Sequence, residues 1–181
     1  RFNRVGTGFL RLDNETGLSV GILTGAGGSF CAGMDLKAFA RGELPIVEGR
    51  GMGFTERPPV KPLIAAVEGY ALAGGTELAL ATDLIVASKD SAFGIPEVKR
   101  GLVAGGGGLL RLPQRIPSAI AMELALTGEN LGAERAHALG LSAHSGYSFG
   151  RLTGTVLTML AIIAMALLLL WRFVAVHALA A

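Results

Sequence analysis

The stretch from Lys61 to Ala87 most narrows what this chain can fold into. Lys61-Pro62 leads into Leu63-Ile64-Ala65-Ala66-Val67, an unbroken apolar run of strand length. The proline stands at the strand entry, where its missing N–H does least harm. A glycine-bearing turn from Gly69 to Gly75 follows, then Thr76-Glu77-Leu78-Ala79-Leu80-Ala81, built of strong helix formers. Asp83-Leu84-Ile85-Val86-Ala87 is the next apolar strand. Strand, turn, helix and strand at this spacing are the grammar of an α/β protein.

The same grammar extends outward in both directions. Leu18-Ser19-Val20-Gly21-Ile22-Leu23 reads as a buried strand, ended by the turn Thr24-Gly25-Ala26-Gly27-Gly28. Asp35 then offers a cap to a helical turn over Leu36-Lys37-Ala38-Phe39. Residues 41–62 keep no steady period, and an excursion of that length usually serves a function. Residues 117–140 are predicted helical, marked by Ile120, Leu124, Leu126, Leu131 and Leu139 and broken near Thr127-Gly128. Residues 1–17 yield no placed element.

With 181 residues the chain suits one well-packed domain rather than two. Its net charge of +2, without a Lys/Arg run or interleaved aromatics, argues against nucleic acid as a partner. The single cysteine, Cys31, excludes an intrachain disulfide and fits a reducing cytoplasmic setting. The opening Arg1-Phe2-Asn3-Arg4 has no apolar signal segment behind it, and without an initiator Met the sequence reads as a fragment. His137, His144 and His177 lack ligand spacing, so no metal is expected. Gly105-Gly106-Gly107-Gly108 is not a phosphate loop, because no Gly-Lys-Ser/Thr follows it.

Three segments carry the chemistry. They are Ser29-Phe30-Cys31-Ala32-Gly33-Met34-Asp35-Leu36, Glu68-Gly69-Tyr70-Ala71-Leu72-Ala73-Gly74-Gly75-Thr76-Glu77-Leu78, and Ala92-Phe93-Gly94-Ile95-Pro96-Glu97-Val98. In order and spacing they resemble the two oxyanion-hole segments and the glutamate pair of the crotonase (enoyl-CoA hydratase/isomerase) family. The resemblance runs from about Leu18 to Leu141. It implies an α/β fold, a spiral of ββα turns, acting on an acyl-CoA thioester. Chemistry beside a thioester builds negative charge on its oxygen, and one backbone N–H aimed there is worth about 3–4 kcal/mol. By resemblance the donors are the N–H groups of Met34 and Gly74. The positive end of the helix that follows Gly74 adds to the second donor.

The resemblance also assigns two carboxylates, Glu77 to water activation and Glu97 to proton delivery at the α carbon, and it implies that Gly105–Gly108 is a glycine turn beside the active site, ahead of a helix. Two nearby carboxylates in a partly dry site have pKa values pushed apart, which suits one acid and one base. No metal or redox cofactor is implied, and coenzyme A is part of the substrate. Keeping both glutamates favours an enoyl-CoA hydratase, a lyase. An enoyl-CoA isomerase or another thioester reaction on the same oxyanion hole stays open. So does an inactive or membrane-tethered remnant.

Past Leu141 the resemblance stops. The chain divides into residues 1–17, a crotonase-like core over 18–141, and an apolar tail over 142–181. Residues 152–171 carry no charge and are long enough to cross a hydrocarbon core of about 30 Å. A membrane anchor, the product of a shifted reading frame, and a buried helix are all open for that run. The location expected is cytoplasmic, or membrane-associated where the tail is a genuine anchor. The family's C-terminal trimerisation helices are not recognisable, so a trimer of the family's type is not expected. Before Leu18, too, the family's strand and helix are not recognisable.

Overall fold

The computed structural model describes residues 2–42, 46–47 and 49–144. Helix α1 (Phe2–Asn14) leads to strand β1 (Gly21–Thr24) and the short helix α2 (Leu36–Ala40). Strands β2 (Ile46–Val47) and β3 (Gly51–Met52) pair antiparallel as a hairpin. Then come β4 (Leu63–Val67), β5 (Tyr70–Leu72) and helix α3 (Gly74–Leu80). Strands β6 (Leu84–Ala87) and β7 (Ala92–Gly94) precede a 3-10 helix, Pro96–Arg100. Helices α4 (Gly108–Arg115) and α5 (Ser118–Thr127), strand β8 (Leu131–Gly132), helix α6 (Ala133–Ala138) and strand β9 (Ala143–His144) complete the order.

The chain steps from one sheet to another at each turn of a spiral. One parallel sheet has the order β1-β4-β6-β9, with Ile64 opposite Ile22 on one side and Leu84 on the other. The second sheet has the order β5-β7-β8, with β5 parallel and β8 antiparallel to β7. Cys31 joins it through a parallel bridge to Ala71. Thus β4 hands over to β5 and then α3, and β6 hands over to β7 and then the 3-10 helix. This is the ββα spiral expected from the sequence.

Burial explains the strand text. β4 is central and covered on both sides, with Leu63, Ile64, Ala65 and Val67 all buried, so it reads as a continuous apolar run. Val67, Ala71, Leu80, Ile85, Phe93, Leu112 and Leu124 belong to one core drawn from both sheets and from α3 to α5. The corner from β4 to β5 is made at Gly69, whose φ is +58°. A Cβ there would stand 2.5 Å from the Gly28 carbonyl oxygen, so the corner needs glycine on both counts.

Several features differ from the sequence reading, among them that β1 is half-exposed rather than buried and that Leu131 lies in a strand, not a helix. The first 17 residues contain helix α1, which corrects the view that the family's leading helix is unrecognisable. Gly6 and Gly8 weaken the local signal, and tertiary burial overrides it. Phe9 and Leu12 are buried, and Phe9 meets Phe54 with ring centroids 4.4 Å apart. Asp13 accepts the N–H groups of Val60 and Lys61 at 2.9 and 3.2 Å, anchoring the helix to the entrance of β4. The turns after β4 and β6 hold strands of a second sheet, too short to show a period. Residues 41–62 include the β2–β3 hairpin. Elsewhere Asp35 caps α2 through Lys37 and Ala38, and Gly128 at φ +66° ends α5.

Among the described residues no helix is long and apolar enough to cross a membrane. The apolar run 152–171 lies outside the described residues, as does the sequence reading of the family's C-terminal helices.

Candidate active site

The site is built on the first turn of α3. Ala73 caps this helix at φ +50° and ψ −125°, a corner that glycine occupies far more readily. Holding a side chain there costs about 1–3 kcal/mol. The Ala73 N–H is tied to the Gly94 carbonyl at 2.9 Å, which locks the corner against β7. Gly75 follows, and a Cβ on it would stand 2.0 Å from the Cys31 carbonyl oxygen. Thr76 is buried. Its hydroxyl lies 2.5 Å from the Ala71 carbonyl and 2.8 Å from the Gly94 carbonyl, and it accepts the Gly94 N–H at 3.0 Å. These contacts fix the direction in which the next residue, Glu77, leaves the helix.

The segment that carries Met34 lies directly against this turn. Gly33, at φ +104°, is so close that a Cβ would stand 2.9 Å from the Ala73 methyl and 3.7 Å from the Gly74 nitrogen. The two expected donors therefore come from touching pieces of backbone. Gly74 is the first residue of α3, where N–H groups have no partner within the helix.

Glu77 is 1% exposed. Its Oε1 accepts the Gly108 N–H at 2.9 Å. Burial pushes its carboxyl above the usual range, countered in part by the backbone N–H groups of Gly108 and Gly106 and by the positive Arg111. Glu97 is half-buried in the 3-10 helix. Burial pushes it up too; its own backbone N–H opposes this, and the charge of Glu77 adds to it. Its Oε2 is buried without a hydrogen-bond partner among the described residues.

Met34, Gly74, Glu77 and Glu97 all line one cleft of about 560 Å³. Its walls are mainly apolar, from Phe39, Ile46, Met52, Leu102 and Val103, with Glu56, Lys99 and Arg100 also on the lining. Lys99 is engaged by Glu129 at 2.8 Å on the surface. An apolar cleft with a few convergent polar groups is suited to an acyl chain whose reacting end is held by backbone donors. Cys31 is half-buried and its sulfur faces the Gly33 carbonyl at 4.0 Å, a packing role. Among the described residues no group of His, Cys, Asp or Glu could hold a metal ion.

Sequence reasoning did not find Thr76, Met52 or Arg111. Thr76 and Arg111 each join a carbonyl five residues earlier to one from a distant turn, which leaves no local pattern. The signal for Arg111 was its place one helical turn after the Gly105–Gly108 run.

A ββα spiral whose apolar cleft gathers Met34, Gly74 and two carboxyl groups is the build of a crotonase-type protein. Residues 4–145 match the family model described as enoyl-CoA hydratase/isomerase, and the chain belongs to that family. It is similar to the crystal structure of an enoyl-CoA hydratase from Mycobacterium marinum, with 75% identity and a TM-score of 0.81. That match covers 90% of this chain and 62% of the other. A Mycobacterium tuberculosis enoyl-CoA hydratase is 70% identical with a TM-score of 0.83, over 90% of this chain and 64% of that one. The carnitinyl-CoA dehydratase of Proteus mirabilis is 45% identical over 145 residues, 77% of this chain and 56% of the relative. The chain thus spans little more than half the length of the curated relatives it matches.

Proposed function

We propose that this chain supplies the catalytic core of an enoyl-CoA hydratase, adding water across the double bond of a trans-2-enoyl-CoA thioester. The observation that carries this reading is the meeting of Met34, Gly74, Glu77 and Glu97 on one apolar cleft. The Met34 and Gly74 N–H groups hold the thioester oxygen as negative charge gathers on it. Glu77 takes a proton from the water whose oxygen bonds to the β carbon, and Glu97 delivers a proton to the α carbon. The water's oxygen and one hydrogen end on the β carbon, and the α carbon gains one proton. Burial raises each carboxyl and the charge of Glu77 raises Glu97 further, which suits a pair that takes up and gives back protons. Coenzyme A belongs to the substrate, and the steps call on no other cofactor. A free Cys31 and a diffusible acyl-CoA suit a cytoplasmic setting.

The relatives named carnitinyl-CoA dehydratase favour a second reading, in which the same steps run in reverse on a 3-hydroxyacyl thioester bearing a cation. Glu56, an exposed carboxylate on the cleft lining, offers the opposite charge to such a group.

The test is hydration of crotonyl-CoA by the purified chain, followed as loss of the conjugated-thioester absorbance, with carnitinyl-CoA assayed in parallel. Turnover that needs both glutamates supports hydration, whereas turnover that survives the loss of one points to isomerase-type chemistry. A much higher kcat/KM for carnitinyl-CoA, reduced by Glu56→Gln, selects the second reading. Folded protein that turns over neither thioester is a remnant, and the hydratase reading fails.

A further inference from the structure

Arg111 stands one helical turn into α4, half-buried, and donates to carbonyls from two distant parts of the chain. Nη1 reaches Gly106 at 3.2 Å and Nη2 reaches Thr55 at 2.5 Å. Gly106 belongs to the turn whose Gly108 N–H holds Glu77. Thr55 belongs to the loop that follows β3, and β3 carries Met52. The Met52 thioether lies across the same turn: a Cβ on Gly106 would stand 2.4 Å from its methyl, and one on Gly74 would stand 3.2 Å from its methyl and sulfur. One guanidinium thus joins the turn that grips the carboxylate to the loop that forms a cleft wall.

The turn itself is shaped around this side chain. Gly107 has φ +99°, and a Cβ there would stand 2.0 Å from Arg111 Nη1. Glycine at 107 therefore supplies both a backbone conformation that other residues resist and the space the guanidinium fills. A planar, permanently charged fork suits two carbonyls at fixed angles, which an ammonium group would serve less well.

We propose that Arg111 is a positioning residue that sets the Glu77 carboxylate and the Met52 wall against each other, so that substrate fit and proton transfer depend on one side chain. It is not on the lining of the cleft and does not act on the substrate itself. This inference deepens the hydratase reading and, for its kinetic consequences, rests on it. The charged groups facing Glu77 are Arg111 from α4 and Glu97 from the 3-10 helix, with Glu56, Lys99 and Arg100 on the lining of the same cleft. Removing Arg111 takes away a positive neighbour of Glu77 while the Gly106 and Gly108 N–H groups stay, so the proton is held more tightly.

The experiment compares Arg111→Met and Arg111→Lys with the unaltered chain by two readouts. One is steady-state hydration of crotonyl-CoA across pH. The other is NMR titration of the 13C-labelled glutamate carboxyls, with the Glu77 signal assigned through Glu77→Gln. In Arg111→Met, kcat should fall about tenfold or more, the size seen when a supporting contact of a working group is lost. The Glu77 titration and the acid limb of kcat/KM should both move to higher pH. Arg111→Lys keeps the charge and loses the fork, so KM should rise several-fold while the titration stays near its original place. A merely structural arginine would lower the melting temperature of both variants and leave titration and the KM-to-kcat balance unmoved, which overturns the proposal. Should the unaltered chain prove inactive, the hydratase reading fails on its own, and an unmoved Glu77 titration in folded Arg111→Met still overturns this one.

Discussion

The two glutamates of the cleft are held by very different means. Glu77 leaves a helix turn fixed by Thr76 and Ala73, is almost fully buried, and is gripped by the Gly108 N–H with Arg111 near. Glu97 leaves a short 3-10 helix, is half-buried, and keeps one buried oxygen without a partner among the described residues. A gripped carboxylate has its direction set in advance. One with unused capacity is available to whatever enters the cleft, at a cost in desolvation that the fold carries. The pair is thus asymmetric before any substrate arrives, which is what assigning one acid and one base requires.

The sharpest way to break this comparison is to remove each carboxylate in turn. Glu77→Gln and Glu97→Gln should each lower kcat for crotonyl-CoA by about 10²–10⁴, the usual worth of a positioned general acid or base. An effect confined to one of them would end the two-glutamate reading. Next in size is Gly106→Ala, whose Cβ would stand 2.7 Å from Glu77 Oε2 and closer still to the Met52 methyl. It should cost about 1–3 kcal/mol in denaturant unfolding, as overpacking does, and disturb Glu77 far more than Glu97. Unchanged stability and kcat would mean that the grip on Glu77 is loose.

A third comparison uses pH. The folded Glu77 carboxyl binds its proton more tightly than the same group in the unfolded chain, whose ordinary value is 4.5. Its contribution to stability is therefore full below 4.5 and is lost as pH rises through the raised folded value. Glu97 acts in the same direction. Melting temperature measured against pH should decline less steeply above 4.5 in Glu77→Gln than in the unaltered chain. Parallel curves would place the burial cost elsewhere. The smallest effect expected is that of Ala73→Gly, which removes the strain of a positive φ but adds freedom to the unfolded chain. The two nearly cancel, leaving a change within about 1 kcal/mol, whereas Ala73→Val should be clearly destabilising by the same thermal assay.

The sequence made the first sheet legible chiefly through β4, whose Leu63–Val67 is buried on both sides and reads as an unbroken apolar run, whereas β1 is half-exposed and β6 alternates. It concealed the second sheet, since Tyr70–Leu72 and Ala92–Gly94 are too short to show alternation. Helix α1 was hidden by two glycines and is held by Phe9 and Leu12 against residues far along the chain. Met34, Gly74, Glu77 and Glu97 stood out through their local text and its family resemblance, and the fold brings them to one cleft. The Gly105–Gly108 turn was legible as a neighbour of the site, but its grip on Glu77 was not. The Gly108 N–H and the Arg111 clamp belong to a turn 31 residues beyond the carboxylate in the first case and to carbonyls 5 and 56 residues away in the second.

The β2–β3 hairpin stands apart from the spiral that carries the glutamates, yet it supplies Ile46 and Met52 to the cleft. Part of the cleft wall therefore comes from a piece of chain other than the one that carries the glutamates, and the two meet at Gly74, Gly106 and Thr55. On the proposed reading, substitutions in the hairpin alter which acyl groups are admitted with less effect on the glutamates than substitutions in α3. A scaffold divided in this way is well placed to diversify its substrates without reinventing its chemistry.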